Sequence, residues 1–193
     1  MSEPRPRGRP RGFDPDLALK AAAERFRTQG YAATSLDDLA EATGLARPSL
    51  YAAFGDKRAL YLAALARLSE RVERAFDGLG ALGLPLQPMV ERMLIGAIQG
   101  YLSGEQGPAG CLLIGTATSE AATDPQVRAV LVKFLAMEDR RIEGLLADAG
   151  STNPAACARI VASVLHSLSV RARAGESRES MEQLARDCAA MMV

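Results

Sequence analysis

Residues 30–60 read Gly30-Tyr31-Ala32-Ala33-Thr34-Ser35-Leu36-Asp37-Asp38-Leu39-Ala40-Glu41-Ala42-Thr43-Gly44-Leu45-Ala46-Arg47-Pro48-Ser49-Leu50-Tyr51-Ala52-Ala53-Phe54-Gly55-Asp56-Lys57-Arg58-Ala59-Leu60. Ser35 followed three residues later by Asp38 is a reciprocal cap that satisfies the first free amides of a helix. Leu36, Leu39 and Ala40 form its apolar face. Gly44-Leu45 turns the chain, and a second short helix runs from Arg47 until Gly55 stops it. Leu50 and Phe54, four apart, face inward, so Arg47, Ser49 and Tyr51 are left on the outer surface. Two short helices joined by a glycine turn make a helix-turn-helix, whose second helix fits the major groove.

Outward from this stretch the chain reads as all-α. No segment keeps a period-2 alternation, aromatics are 5% and there is no Trp, while Ala and Leu recur at three- and four-residue spacing. Asp14-Pro15, Asp124-Pro125 and Asn153-Pro154 each set a capping side chain before a proline at the first helical position. About nine helices are predicted, over residues 14–28, 35–42, 47–53, 57–77, 88–103, 110–121, 125–148, 154–174 and 178–191. The first three are short and make a compact reading head, and the later ones are long and make a helical bundle. The division is a basic arm at 1–12, an N-terminal three-helix DNA-binding domain at 13–56 and a C-terminal domain at 57–193, with the 57–77 helix joining them.

Each outer residue of the second helix has a nucleic-acid chemistry. Arg47 offers two donors to guanine N7 and O6, Ser49 is a short adaptable donor or acceptor, and the Tyr51 hydroxyl reaches a phosphate. Thr34 or Ser35, at the start of the supporting helix, stands where free amides suit a phosphate. Lys57, just past the cap Asp56, is placed for the adjacent backbone. The plain alternative is a helical hairpin of any bundle, with Arg47 solvated and Tyr51 packed.

The runs Gly30 to Leu36 and Gly44 to Leu60, with their Tyr-x-x-Phe-x-x-Lys signature at Tyr51, Phe54 and Lys57, resemble the DNA-binding domain of TetR-family transcriptional repressors over about residues 12–62. Two positions depart from that pattern. Ala46 stands where a capping Ser or Thr is usual, a loss of about 0.5–2 kcal/mol of helix stability. Pro48 stands where Gly is frequent and removes one amide donor, so no amide-to-phosphate contact is made there.

The resemblance implies a homodimer on a palindromic double-stranded DNA operator, released by a small-molecule effector bound in the C-terminal domain. Ile160, Val161, Val164, Leu165 and Leu168 on one helix, with Met181, Leu184, Ala185, Cys188 and Met191 on the next, are the candidate dimer stripes. His166, the only histidine, is expected to pack or hydrogen-bond there. The 57–77, 88–103, 110–121 and 125–148 helices would enclose the effector cavity. Tyr101, Thr116, Thr118, Phe134 and Met137 are its candidate lining, polar or aromatic residues on otherwise apolar segments, with plain core packing as the alternative for each. Cys111 follows Gly110 at a predicted helix start, where free amides favour a thiolate. Some family members sense oxidants or electrophiles through a cysteine in this region, so a redox-sensing regulator is a second reading.

The arm Arg5-Pro6-Arg7-Gly8-Arg9-Pro10-Arg11-Gly12 alternates arginine with helix breakers. Its Arg7-Gly8-Arg9-Pro10 core resembles the AT-hook, an extended strip laid in an A·T-rich minor groove. The chain's 23 Lys+Arg balance 23 Asp+Glu, which excludes a protein that coats nucleic acid by bulk charge. By position, four arginines against Glu3 make residues 1–11 a +3 segment. A non-specific architectural DNA-binding protein that uses mainly this arm is a third reading.

One His and three scattered Cys give no catalytic constellation, no metal site and no cofactor motif, so the chain reads as no enzyme. The N-terminus lacks a signal peptide's apolar stretch, and Arg67, Glu91, Glu105, Glu120 and Arg128 interrupt the apolar runs considered as spans. No membrane partner and a cytoplasmic location are expected.

Overall fold

The computed structural model describes residues 13–104 and 107–192. Among these residues the chain forms nine α-helices and one π-turn, with no strand. The reading head holds α1 (Pro15–Gln29), α2 (Leu36–Thr43) and α3 (Arg47–Phe54), and α4 (Lys57–Gly80) leads out of it. There follow α5 (Leu86–Leu102), the π-turn Leu113–Ala117, α6 (Thr118–Glu120), α7 (Pro125–Asp148), α8 (Pro154–Arg173) and α9 (Arg178–Ala190).

The helix starts follow from their caps. The Asp14 carboxylate accepts from the Asp16 amide at 2.9 Å, Asp56 from Ala59 at 2.7 Å and Asp124 from Gln126 at 2.8 Å. Ser35 and Asp38 complete a reciprocal box: the Asp38 amide donates to Ser35 Oγ at 3.1 Å, and the Ser35 amide donates to Asp38 Oδ2 at 2.7 Å. Gly44 ends α2 in the left-handed region at φ +67°, a conformation that costs a Cβ-bearing residue about 1–2 kcal/mol.

The predicted 110–121 helix is different. Within it only Thr118–Glu120 form an α-helix, Ala121 already turns away, and Leu113–Ala117 widen into a π-turn. Tertiary docking explains the departure. Gly110 has φ +66°, and a Cβ on it would lie 2.5 Å from the Ser169 carbonyl oxygen of α8. The next amide, Cys111, donates to Ser169 Oγ at 2.8 Å. The Thr116 hydroxyl bonds Tyr61 of α4 across 2.7 Å. With both ends tied, the segment accommodates its length as a widened turn, a form found often at functional sites.

α4 packs on α1 and on α7, α5 packs on α8 and α9, and α7 packs on α8. One apolar cluster runs without a break from Phe26, Leu39 and Leu50 in the head through Tyr61 and Leu65 to Leu94, Ile142 and Leu168 in the bundle. Contrary to the expectation that no apolar run is long enough to span a bilayer, α8 is long and apolar enough, by length and composition, to cross a membrane. Its inward residues Val161, Leu165 and Leu168 are buried in the bundle, while Ile160 and Val170 stay 52% and 59% exposed.

Candidate nucleic-acid interface

α3 is eight residues long, with Leu50 buried beneath it and Arg47, Pro48, Ser49, Tyr51 and Ala52 exposed. Ala46 occupies its N-cap with no side-chain bond, and Pro48 falls in its first turn. Phe54 is half-buried, and its ring meets that of Phe13 at 6.3 Å between centroids. Phe13 thus stands beside α3. Arg7 and Arg9 themselves lie outside the described residues.

Arg47 is not simply solvated. Its Nε donates to Asp37 Oδ1 at 2.7 Å, and its Nη2 also contacts Asp37 Oδ2. This bond raises the Arg47 pKa and joins the first turn of α2 to the first turn of α3. Asp37 was not singled out in the sequence, and its only signal was an acidic residue in a first turn. Tyr51 is 47% exposed, so the packed alternative for it does not hold. Ser35 is exposed, but its hydroxyl is already used, donating to Asp38 Oδ2 at 2.6 Å and accepting from the Asp38 amide. That bond holds the Asp38 carboxyl below its ordinary range. Lys57 stands 4.5 Å above the Tyr31 ring and donates to the Ala32 carbonyl at 3.4 Å.

Thr34 requires a correction. It is fully buried, and its hydroxyl donates to the Gly30 carbonyl at 2.6 Å. It closes the turn between α1 and α2 and cannot meet a phosphate.

In the bundle a cavity of about 470 Å³ opens among α4, α5, α7 and α8, a volume that suits a small organic ligand. Tyr101, Cys111 and Phe134 line it. Burial pushes the Tyr101 phenol well up. Three other candidates fall elsewhere. Thr116 is buried against Tyr61, Thr118 is exposed with its hydroxyl on the Ile114 carbonyl, and Met137 is core outside the lining.

Arg27, Arg71, Arg92 and Glu138 are lining residues that pattern reasoning missed, because charged residues on amphipathic helices read as a solvated face. Glu138 is buried, and its Oε2 lies 2.6 Å from Nε2 of His166. Cys111 is buried. Burial pushes its thiol up, and the Ile114 and Leu113 amides pull it down by less. Among the described residues no group of three or more His, Cys, Asp or Glu is placed to hold a metal ion.

Three polar ties fasten α1 and the first turns of α4 to the rest of the bundle. Arg58, in the first turn of α4, grips Asp124 with both its Nε and its Nη2, the latter at 2.8 Å, and Asp124 is itself the cap of α7. This pair holds the Asp124 carboxyl well below the usual carboxylate range. Tyr61 bonds Thr116, and burial pushes its phenol up to about 12. Arg27 of α1 donates from Nη1 to the Gly100 carbonyl at 3.0 Å and to the Gly110 carbonyl at 3.1 Å, and Glu24 holds the rest of its guanidinium.

Residues 18–64 match the sequence pattern of bacterial regulatory proteins of the tetR family. Along nearly its whole length the chain is 33% identical to the HTH-type transcriptional repressor ComR of Escherichia coli K12, over 93% of this chain and 89% of ComR. It is 30% identical to the HTH-type transcriptional repressor BdcR of the same organism, over 90% and 86%. A cysteine mutant of the TetR-family transcriptional regulator CifR, solved with a 26-base-pair double-strand operator DNA, superimposes with a TM-score of 0.77. It is 31% identical to this chain, with 94% of this chain and 98% of CifR covered. The chain belongs to the tetR family of bacterial regulatory proteins and is a DNA-binding regulator, not an enzyme.

Proposed function

We propose that two copies of this chain repress transcription by binding a palindromic operator, and that a small molecule in the bundle cavity releases them. The observation that carries the reading is the outer face of α3, where Arg47, Ser49 and Tyr51 stand exposed over a buried Leu50 in a chain whose relatives include repressors and an operator complex. Arg47 would leave Asp37 to meet a guanine edge, and Ser49 and Tyr51 would fix the register. Arg7 and Arg9 would enter the flanking minor groove from the arm that precedes Phe13. Exposed Ile160, Val170 and Met191 on and beside α8 and α9 supply an apolar dimer face, which would set two α3 helices about 34–36 Å apart on successive major grooves. Such a regulator works in the cytoplasm.

Release follows from the ties between bundle and head. An effector entering between α4, α5 and α7 would shift α4 and alter the spacing of the two α3 helices. Cys111 lines the same cavity, which gives an electrophile a site of attack, although the raised thiol pKa opposes that chemistry. The test is selection of DNA by the purified protein, followed by footprinting with Arg47→Ala and with an arm-deleted chain. Arg47→Ala should weaken the selected site by about 1–3 kcal/mol and relax preference at one base pair per half-site, whereas arm deletion should weaken all sequences alike. Unchanged preference in Arg47→Ala would remove that residue from base readout, and uniform binding to all DNA would favour the architectural reading.

A further inference from the structure

The bundle cavity has an unbalanced charge. Its apolar wall includes Leu68, Val72, Phe76, Met93 and Leu165, and its charged members are Arg27, Arg71, Arg92 and Glu138. Two of these four are already matched: Glu24 clasps the Arg27 guanidinium at 2.9 Å through two bonds, and Glu138 meets His166 at 2.6 Å. Arg71 of α4 and Arg92 of α5 have no ion pair and no side-chain hydrogen bond among the described residues. Both are exposed residues that still contribute to the lining, so they stand at its rim. The Arg71 charge also reaches inward, since it is felt at the Cys111 thiol on the cavity wall.

We infer that the cavity is built for an apolar molecule carrying one anionic group, a carboxylate or sulfonate, which Arg71 and Arg92 receive at the rim while the apolar body fills the interior. The inference rests on the proposal that this cavity holds the effector. It names the ligand's chemistry, which that proposal leaves open. A neutral ligand would leave both guanidiniums to water and gain nothing from them, and a cation would meet two like charges. Arg71 also lines the adjoining groove between α1 and α4, together with Arg27 and Gly100. An anion held by Arg71 therefore lies next to the Arg27 bonds that tie α1 to the Gly100 and Gly110 carbonyls. It would compete with those carbonyls for Arg27, which gives the effector a route to the head.

The experiment uses two probes of one skeleton, 1-anilinonaphthalene-8-sulfonate and its neutral counterpart N-phenyl-1-naphthylamine, titrated by fluorescence into the full chain. The chain has no Trp to interfere. The sulfonate should bind one site per protomer, about tenfold or more tighter than the neutral probe. Combining Arg71→Gln with Arg92→Gln should erase that preference while leaving the neutral probe unchanged, and Arg71→Lys with Arg92→Lys should retain it. Gly96 lines the cavity with open space where a Cβ would stand, so Gly96→Leu should exclude both probes. Equal affinity of the two probes for the parent chain, indifference of the sulfonate to the paired Gln substitutions, or sulfonate binding that survives Gly96→Leu would each overturn the assignment. The selected operator separates this from the parent proposal. Charge-dependent binding without release of DNA upholds the anion site and sinks effector release, whereas release by the neutral probe alone upholds release and sinks the anion site.

Discussion

At the scale of single residues, the division of labour around residues 34 to 38 turns on which hydroxyl is free. Thr34 spends its hydroxyl on the Gly30 carbonyl inside the head, and Ser35 spends its own on a cap. Thr34→Val keeps the shape and removes the donor to the half-buried Gly30 carbonyl. It should cost about 0.5–1.5 kcal/mol, and Thr34→Ser should recover most of it. Urea denaturation of the two variants checks this, and a loss confined to DNA affinity would instead restore a phosphate role for Thr34. Arg47, Ser49 and Tyr51 are exposed as the sequence reading expects, yet periodicity alone does not require it of Arg47, which stands three residues before Leu50 and seven before Phe54. Pattern reasoning could not separate Thr34 from Ser35, since adjacent hydroxyls look alike until the backbone turns one inward. Nor could it find Asp37 as the partner of Arg47, because that contact crosses ten residues and a turn.

At the scale of the element, capping decided what was legible. Helices that open on Asp-Pro or Asn-Pro begin where the sequence places them: α7 spans Pro125–Asp148 as predicted, and α1 and α8 agree within one residue at each end. The segment after Gly110 has no cap and takes its shape from Ser169 and Tyr61, partners more than fifty residues away in sequence. Local propensity reads such a segment as plain helix. α3 is the opposite case, a helix that forms without the cap it lacks. The Ser49 amide now donates to the Ala46 carbonyl at 2.9 Å, and Ala46→Ser should let the new hydroxyl share that amide and stabilise the protein by about 0.5 kcal/mol, the low end of a capping gain. A rise in the urea midpoint of the variant is the measurement, and an unchanged midpoint would mean the end of α2 leaves no room for the cap.

At the scale of the whole molecule, the Arg58–Asp124 pair binds the start of α4 to the start of α7. The Asp124 pKa is depressed in the folded protein, mainly by its bond to Arg58. The stabilisation it contributes is therefore complete above the ordinary aspartate pKa of about 3.9 and is lost as pH falls through and below it. Asp124→Asn keeps a capping oxygen and removes the titration. The parent chain should lose more of its urea midpoint between pH 7 and pH 3.5 than this variant does, and equal losses would show that the pair contributes nothing to acid stability. The arrangement of the lining followed the same logic of scale. Tyr101 and Phe134 were legible as apolar-face aromatics, whereas Arg71 and Arg92 take on meaning only when α4 and α5 are set side by side.

The unbroken apolar cluster has a consequence for how such regulators diversify. Phe26, Tyr31 and Tyr61 interlock with ring centroids 4.7–6.0 Å apart, and Tyr61 belongs to the helix that also walls the cavity. A head borrowed from a relative and spliced at residue 56 would sever this aromatic triad. A transplanted head would therefore have to carry the first turns of α4 and the residues facing them, whereas substitutions on the exposed surface of α3 leave the triad untouched.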